Sequence, residues 1–226
     1  IENVAFAAAP AAALPIRLNV MGQQGIAVLE NGKLEPTPVM FVPNATFMVS
    51  KTFDSNDGTC DADCSVREAF VASNGAAGAD MIVFSGNGTH LLTIGAGGEN
   101  SAAQGDLDVT ESLTIVGNGS ANTFLHAGTN TSNGIDKVIS INPNFTTAFA
   151  TSITGVTVRY GRNPSSFATD GFGGGFDWEG TGTGTLSVTN SSVLDNRTLD
   201  GDGGGITVTN SSPGSGAFTA NGTTIS

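Results

Sequence analysis

Val188-Thr189-Asn190-Ser191-Ser192 recurs residue for residue as Val208-Thr209-Asn210-Ser211-Ser212, an offset of 20. Gly173-Gly174-Gly175-Phe176 recurs as Gly203-Gly204-Gly205-Ile206, an offset of 30. Leu92-Thr93-Ile94 recurs as Leu113-Thr114-Ile115, an offset of 21. A period of roughly 20–30 residues built from strands and turns signals a solenoid. One coil cannot bury its inward Leu, Ile and Val residues alone. Stacked coils can, with strands about 4.8 Å apart in parallel sheets around a shared core. The offsets disagree, so coils vary in length or the Gly triplets mark different corners. Gly and Asn supply the positive φ that corners need. Asn190 and Asn210, one coil apart on this reading, would form a side-chain ladder. An antiparallel sandwich also gives many short strands, but near-identical strands one coil apart favour stacking.

Working outward, the alternation of apolar and polar residues predicts strands at Met81–Phe84, Leu91–Ile94, Leu107–Val109, Leu113–Val116, Val138–Ile141, Ile153–Val158, Leu186–Val188 and Ile206–Val208. Composition agrees. Gly (32), Thr (27), Ser (20) and Asn (19) dominate the 226 residues. These are poor helix formers and good turn formers, so a helical bundle is excluded. Charged residues are only 12%, which separates the chain from highly charged disordered sequences. Gly has no three-residue period, which excludes collagen.

The formal net charge is −12. Residues 1–51 net to zero, with Glu2, Glu30 and Glu35 against Arg17, Lys33 and Lys51, so all the excess lies downstream. An acidic surface repels phosphate backbones, which argues against nucleic acid as a partner. No apolar run reaches the ~20 residues of a membrane span.

Residues 1–46 read as a leader, a linker or an accessory β segment. The Ala-rich run Val4–Leu14 has the composition of a signal-peptide remnant. Ile26–Leu29, Glu30-Asn31-Gly32-Lys33 and Leu34 read as a hairpin around an Asn-Gly turn. Pro36, Pro38 and Pro43 then punctuate a linker. From Thr46 the texture changes. Phe47–Phe53 alternates like a strand, a polar loop runs from Asp54 to Asp63, and one helix follows. Ser65-Val66-Arg67-Glu68 is a capping box, in which Ser65 accepts from the Glu68 amide and the Glu68 carboxylate from the Ser65 amide. Val66, Ala69 and Phe70 form one apolar face, and Asn74-Gly75 ends the helix.

The block Asp57-Gly58-Thr59-Cys60-Asp61-Ala62-Asp63-Cys64-Ser65-Val66-Arg67-Glu68-Ala69-Phe70 resembles the CSLREA domain, with Cys-Ser-Val-Arg-Glu-Ala in place of Cys-Ser-Leu-Arg-Glu-Ala. Leu113–Gly117, Ile153–Val158 and the Gly-Gly-Gly-Phe/Ile segments are similar to that family and to polymorphic outer-membrane protein passengers. The resemblance spans roughly residues 46–226. It implies an all-β, right-handed parallel β-helix with one short helix near its N-terminal end. The expected division is a cap at 47–80 and coils over 81–226, incomplete at the C-terminus. It also implies a secreted or surface-exposed bacterial protein, often longer than this chain, and it implies no particular activity.

Cys60 and Cys64, four residues apart in an apparently exported chain, are a disulfide candidate pinning the loop to the helix start. Zinc would need further ligands, and His90 and His126 are distant in sequence. Arg67 can pair with a loop carboxylate such as Asp61 or Asp63. No resident cofactor is expected except, as a candidate, Ca²⁺. Two acidic clusters offer the oxygen ligands that Ca²⁺ takes. The first is Asp54, Asn56, Asp57, Asp61 and Asp63; the second is Asp195, Asn196, Asp200 and Asp202. Neither has EF-hand spacing. For catalysis the repeat region offers Asp170, Asp177, Glu179, Asp195, Asp200 and Asp202, with Arg159, Arg162 and Arg197. Coil stacking could align Asp177 or Asp195 with Arg159 or Arg197. Tyr160 and Trp178 are candidate sugar-stacking rings.

Three functions fit this sequence. The favoured one is a non-catalytic, adhesin-like scaffold, secreted or on the cell surface, whose partner is an extracellular protein or glycan. The others are a carbohydrate-active β-helix enzyme, a polysaccharide lyase or glycosidase, and a carbohydrate-binding module. Paired carboxylates or an acid–Arg pair in a cleft would mark the enzyme. Polar groups scattered over flat faces would mark the scaffold. The ending at Gly222–Ser226 resembles the middle of a coil, so the chain reads as a fragment of a longer protein.

Overall fold

A computed structural model describes residues 10–17, 24–33, 37–40, 45–95, 99–145, 147–163, 172–199, 202–210 and 216–226. The chain divides into two compact units, Ile1–Pro43 and Asn44–Ser226.

The first unit is an antiparallel sheet of β1 (Pro10–Arg17), β2 (Gln24–Glu30) and β3 (Thr37–Met40), in that order. The Asn31-Gly32 turn forms as expected. Gly32 takes φ +86 and the Lys33 amide donates to the Glu30 carbonyl at 3.1 Å. Two expectations change. The end of the Ala-rich run is strand β1, paired with β2 from Pro10 onward, while residues 1–9 lie outside the described ones. Pro38 lies within β3 opposite Ala27 rather than in a linker. β1 and β3 are both edge strands, where a proline's missing N–H costs no ladder bond.

The second unit is a parallel β-solenoid, and each coil visits three sheets in turn. Sheet one contains β4 (Thr46–Val49), β5 (Asp80–Phe84), β8 (Leu113–Val116), β11 (Ala150–Thr154), β15 (Thr185–Thr189) and β19 (Ala217–Asn221). Sheet two contains β6 (Gly88–Leu91), β9 (Thr123–His126), β12 (Thr157–Arg159), β16 (Ser192–Leu194) and β20 (Thr224–Ile225). Sheet three contains β7 (Leu107–Val109), β10 (Ile139–Ile141), β14 (Phe176–Gly180) and β18 (Ile206–Asn210). A short parallel pair, β13 (Arg162–Asn163) with β17 (Arg197–Thr198), lies between sheets two and three along the chain. The helix α1 (Val66–Gly75) lies against β4, β5 and β7, the first strands of sheets one and three.

The true coil is longer than the shorter repeats suggest. Met81 aligns with Thr114, Thr114 with Ser152, Ser152 with Ser187 and Ser187 with Thr219, steps of 32 to 38 residues. The offset of 30 between the Gly triplets is a genuine coil repeat, because Phe176 pairs with Ile206. The offsets of 20 and 21 are not. Val188 belongs to sheet one and aligns with Ala220, whereas Val208 belongs to sheet three and aligns with Trp178. Asn190 therefore does not stack on Asn210. It turns the corner between sheets one and two with φ +48, the corner that Gly155 (φ +67) and Gly222 (φ +59) turn in the adjoining coils. Asn is the non-glycine residue best suited to that backbone.

The predicted strand Ile153–Val158 is two strands, β11 and β12, divided by Gly155. The predicted Leu91–Ile94 strand instead ends at Leu91, because the Thr93 and Ile94 amides donate to the Asp54 carboxylate. The strand at Phe47–Phe53 stops at Val49, where the Ser50 and Lys51 amides turn to the Cys64 carbonyl.

Three inward columns form the core. Ile82, Ile115, Ile153 and Val188 stack in sheet one; Leu125, Val158 and Val193 in sheet two; and Leu107, Ile139 and Phe176 in sheet three. Each fully buried side chain of this kind contributes about 1.5–3 kcal/mol. Glycine is required where coils approach most closely. A Cβ on Gly117 would collide with the Gly155 carbonyl oxygen of the next coil.

Candidate functional site

Sheet three differs from the other two sheets because its first three strands, β7, β10 and β14, are buried on both faces. All three residues of β7 and of β10, and all five of β14, are buried. Strand alternation sends Leu107 and Val109 inward, which turns Asp106 and Asp108 outward. The ladder register then aligns Asp108 with Ser140, Asp177 and Thr207. This outward polar row is covered rather than solvated. Asp106, Asp108, Lys137, Ser140, Asp177 and Glu179 are all buried. The Lys137 ammonium donates to Asp177 Oδ2 at 3.0 Å, and the Ala102 amide donates to Asp108 Oδ2 at 2.8 Å.

This environment favours neutral carboxyls. Burial drives the Asp106 carboxyl well above the usual range, and the neighbouring Asp108 and Asp136 add to it. Burial likewise pushes Asp108 up to about 7, against the pull of the Ala102 amide. Such groups can hold protons, but a polymeric substrate cannot reach them. Sequence reading singled out Asp177 and Glu179 in this row but missed Asp106, Asp108 and Lys137. Leu107-Asp108-Val109 alternates like any half-exposed strand. Only the loops that cover it reveal the burial.

The motif residues Arg67 and Glu68 are buried and internally engaged. The Arg67 Nε donates to Asp54 Oδ1 at 2.9 Å. Its Nη1 donates to the carbonyls of Ala102 (3.0 Å) and Asp106 (3.3 Å). Its Nη2 donates to the Gly105 carbonyl (2.8 Å) and Asp54 Oδ2 (3.4 Å). All five guanidinium N–H groups thus have an acceptor. The partner is Asp54, not Asp61 or Asp63. Asp54 Oδ2 is fixed by the Thr93 (2.6 Å) and Ile94 (2.9 Å) amides, which hold the carboxylate inside the cap. The capping box forms, with the Ser65 amide donating to Glu68 Oε2 at 2.7 Å and the Glu68 amide to Ser65 Oγ at 3.1 Å. Burial raises the Glu68 carboxyl, but the Ser65 amide, Ser55 hydroxyl, Asp57 amide and Lys51 outweigh it and hold it below its usual range. Cys60 and Cys64 are disulfide-bonded.

The rest of the first acidic cluster engages its own loop. Asp57 Oδ1 accepts from the Thr59 amide and hydroxyl, Asp61 Oδ1 from the Asp63 amide, and Asp63 pairs with Lys51 at 2.9 Å. Asn56 donates to the Ala103 carbonyl. In the second cluster Asp195 pairs with Arg159, Asn196 bridges to the Gly161 amide and Val158 carbonyl, and Asp202 is exposed. Asp170 and Asp200 lie outside the described residues. Among the described residues no three of His, Cys, Asp or Glu are grouped to hold a metal ion.

Trp178 is not a sugar platform. It lies on the inward side of β14 with Phe176, stacked on Ile141 in the core and 3% exposed. Tyr160 is half-buried at a corner with φ +61, and its neighbours form the more open constellation. The Arg159 guanidinium lies 4.5 Å from the Tyr160 ring centroid, and its Nε donates to Asp195 Oδ2 at 2.7 Å. His126 meets the Tyr160 ring edge-to-face at 5.0 Å and Phe124 at 5.8 Å. Burial, helped by Arg159, lowers His126 to about 4, so it is neutral at pH 7. The anticipated alignment of Asp195 with Arg159 is therefore present, whereas Asp177 goes to Lys137.

No protein-family model, curated protein or solved structure matches the chain.

Proposed function

We propose that this chain is a non-catalytic β-helix scaffold, secreted or displayed on a bacterial cell surface, with an adhesin-like role toward an extracellular protein or glycan. One observation carries this reading: the acids that could do chemistry on sheet three are buried in its packing, out of reach of a polymer. From β8 onward one outward column of sheet one is small and uncharged: Thr114, Ser152, Ser187 and Thr219 follow one another up the stack. The Cys60–Cys64 disulfide supports an oxidising, extracellular compartment. The resemblance of Cys64–Ala69 to the CSLREA domain supports the bacterial surface. Incubating the purified chain with a panel of polysaccharides, and assaying reducing ends and unsaturated products, tests it. The expected outcome is no turnover. Turnover lost in Asp177→Asn or Asp195→Asn would overturn the scaffold.

A second reading, carbohydrate recognition or cleavage, is favoured by the Arg159–Asp195 pair beside Tyr160, whose side chains are 35% and 44% exposed. A glycan array comparing the wild type with Arg159→Ala separates the two. Binding lost in the variant supports a sugar site there.

A further inference from the structure

We infer that the loop Glu99–Asp106 is a proton-controlled latch between α1 and sheet three, shut while Asp106 and Asp108 are neutral and released when they ionise. Ala102 is its catch. This residue takes φ +63 without being glycine, and it is fully buried. Such a strained backbone persists only when its surroundings hold it from more than one side. Here the Ala102 amide donates to Asp108 Oδ2 and its carbonyl accepts from Arg67 Nη1. One residue is thus gripped by sheet three on one side and by α1 on the other. Asn74 adds a parallel tie, donating to the Asp108 carbonyl and accepting from the Thr110 amide.

The grip depends on charge. Asp106 Oδ2 and Asp108 Oδ1 are buried without a hydrogen-bond partner, as is the Ser140 hydroxyl beside Asp108 in the ladder. The groups facing them are Glu99 on the latch itself, Asp136 and Lys137 before β10, Asp177 on β14, and Arg67 on α1. The two cations are matched already, Lys137 to Asp177 and Arg67 to Asp54. Ionising Asp106 and Asp108 therefore adds two buried negative charges beside Glu99 and Asp136, with no new cation to meet them. An unpaired buried charge is costly, and opening the loop to water relieves it.

The direction of the pH effect follows. Burial raises both carboxyls, Asp108 to about 7, so the closed loop binds protons that the open loop releases. The latch is tightest below the ordinary carboxylate range, near pH 4. It weakens as pH rises from there, and the share held by Asp108 is lost as pH passes through about 7.

Hydrogen exchange of the full chain, corrected for intrinsic rates, tests it. The opening of a peptide covering residues 99–106 should increase more than about tenfold between pH 5 and pH 7.5, while a peptide covering β11 and β12 stays flat. Asp108→Asn and Asp106→Asn should each reduce that slope, and Ser140→Ala should preserve it. A flat wild-type profile for the 99–106 peptide would overturn the latch whether or not the variants fold. So would an undiminished slope in both Asn variants. Restoration of protection at pH 7.5 by millimolar Ca²⁺ would overturn it in favour of a cation site.

Discussion

Replacing Arg67 by Met keeps most of the stem volume and removes the fork, which isolates the value of the guanidinium. Five hydrogen bonds disappear, two to Asp54 and one each to the carbonyls of Ala102, Gly105 and Asp106. Removing one partner of a buried ion pair costs about 3–5 kcal/mol, mostly for the charge left behind. Each orphaned buried carbonyl adds about 1–3 kcal/mol if nothing replaces the donor. Two features limit the sum. Asp54 keeps the Thr93 and Ile94 amides, and the 99–106 loop can open to let water reach its carbonyls. We therefore expect a loss of about 4–5 kcal/mol, a large share of the ~5–15 kcal/mol of an ordinary domain. With a urea m-value of about 2 kcal/mol/M, the midpoint falls by about 2 M. Trp178, the only tryptophan and buried in the core, reports unfolding by fluorescence. Arg67→Lys, which keeps a charge but not the fork, should lose roughly half as much. Arg67→Met with Asp54→Asn should destabilise by less than the two singles added together, with a coupling above about 1 kcal/mol. A midpoint within about 0.5 M of wild type, or strict additivity in that cycle, would refute the reasoning.

The Cys60–Cys64 disulfide closes a very short loop, so reduction or Cys60→Ser with Cys64→Ser should cost only about 2 kcal/mol, read as a shift in urea midpoint. Gly117→Ala places a methyl against the Gly155 carbonyl of the next coil and should destabilise by about 3 kcal/mol; a thermal melt unchanged within error would mean the coils approach less closely there. Burial lowers His90 and His126 to about 4, so the folded state favours their neutral forms and their contribution is lost as pH falls from 6.5 towards 4. That slope opposes the one from Asp106 and Asp108. His90→Gln with His126→Gln should therefore make stability fall more steeply with rising pH between about 4 and 6.5, in urea titrations across that window.

The fold was legible because its chemistry repeats at every corner. The Gly173 and Gly203 triplets lie one coil apart and pair as Phe176 with Ile206, so that repeat marked a real coil step. The Val-Thr-Asn-Ser-Ser repeat misled for a physical reason. Val and Thr suit a strand and Asn a strand end wherever they sit, so the same sequence leaves sheet one through the positive-φ corner at Asn190 but closes β18 of sheet three at Asn210. The capping box and the disulfide were legible because they are local, spanning three and four residues. Asp54 with Arg67 was not, because its geometry depends on amides at Thr93 and Ile94 about 40 residues downstream. Nor was the row at Asp106, Asp108 and Lys137, since only loop packing turns an outward strand face into an interior. Trp178, read as a candidate sugar-stacking ring, alternates with Phe176 and belongs to the core.

The Cys-Ser-Val-Arg-Glu-Ala block invites a functional interpretation because it concentrates charge, yet each of its side chains turns inward. Cys64 closes the disulfide, Ser65 and Glu68 cap the helix, Arg67 binds the latch loop, and Ala69 is fully buried. A solenoid needs this at its first coil, where the core columns would otherwise meet solvent and where terminal repeats normally carry a distinct capping structure. α1 supplies it by lying across the first strands of sheets one and three. The charged residues of the block are thus the means of attaching a helix to a stack of strands, since hydrogen bonds from Arg67 reach loop carbonyls that no apolar side chain could satisfy. A recognition surface is better sought downstream, at Arg159, Tyr160 and Asp195, where charge remains partly exposed and two corner residues hold a positive φ.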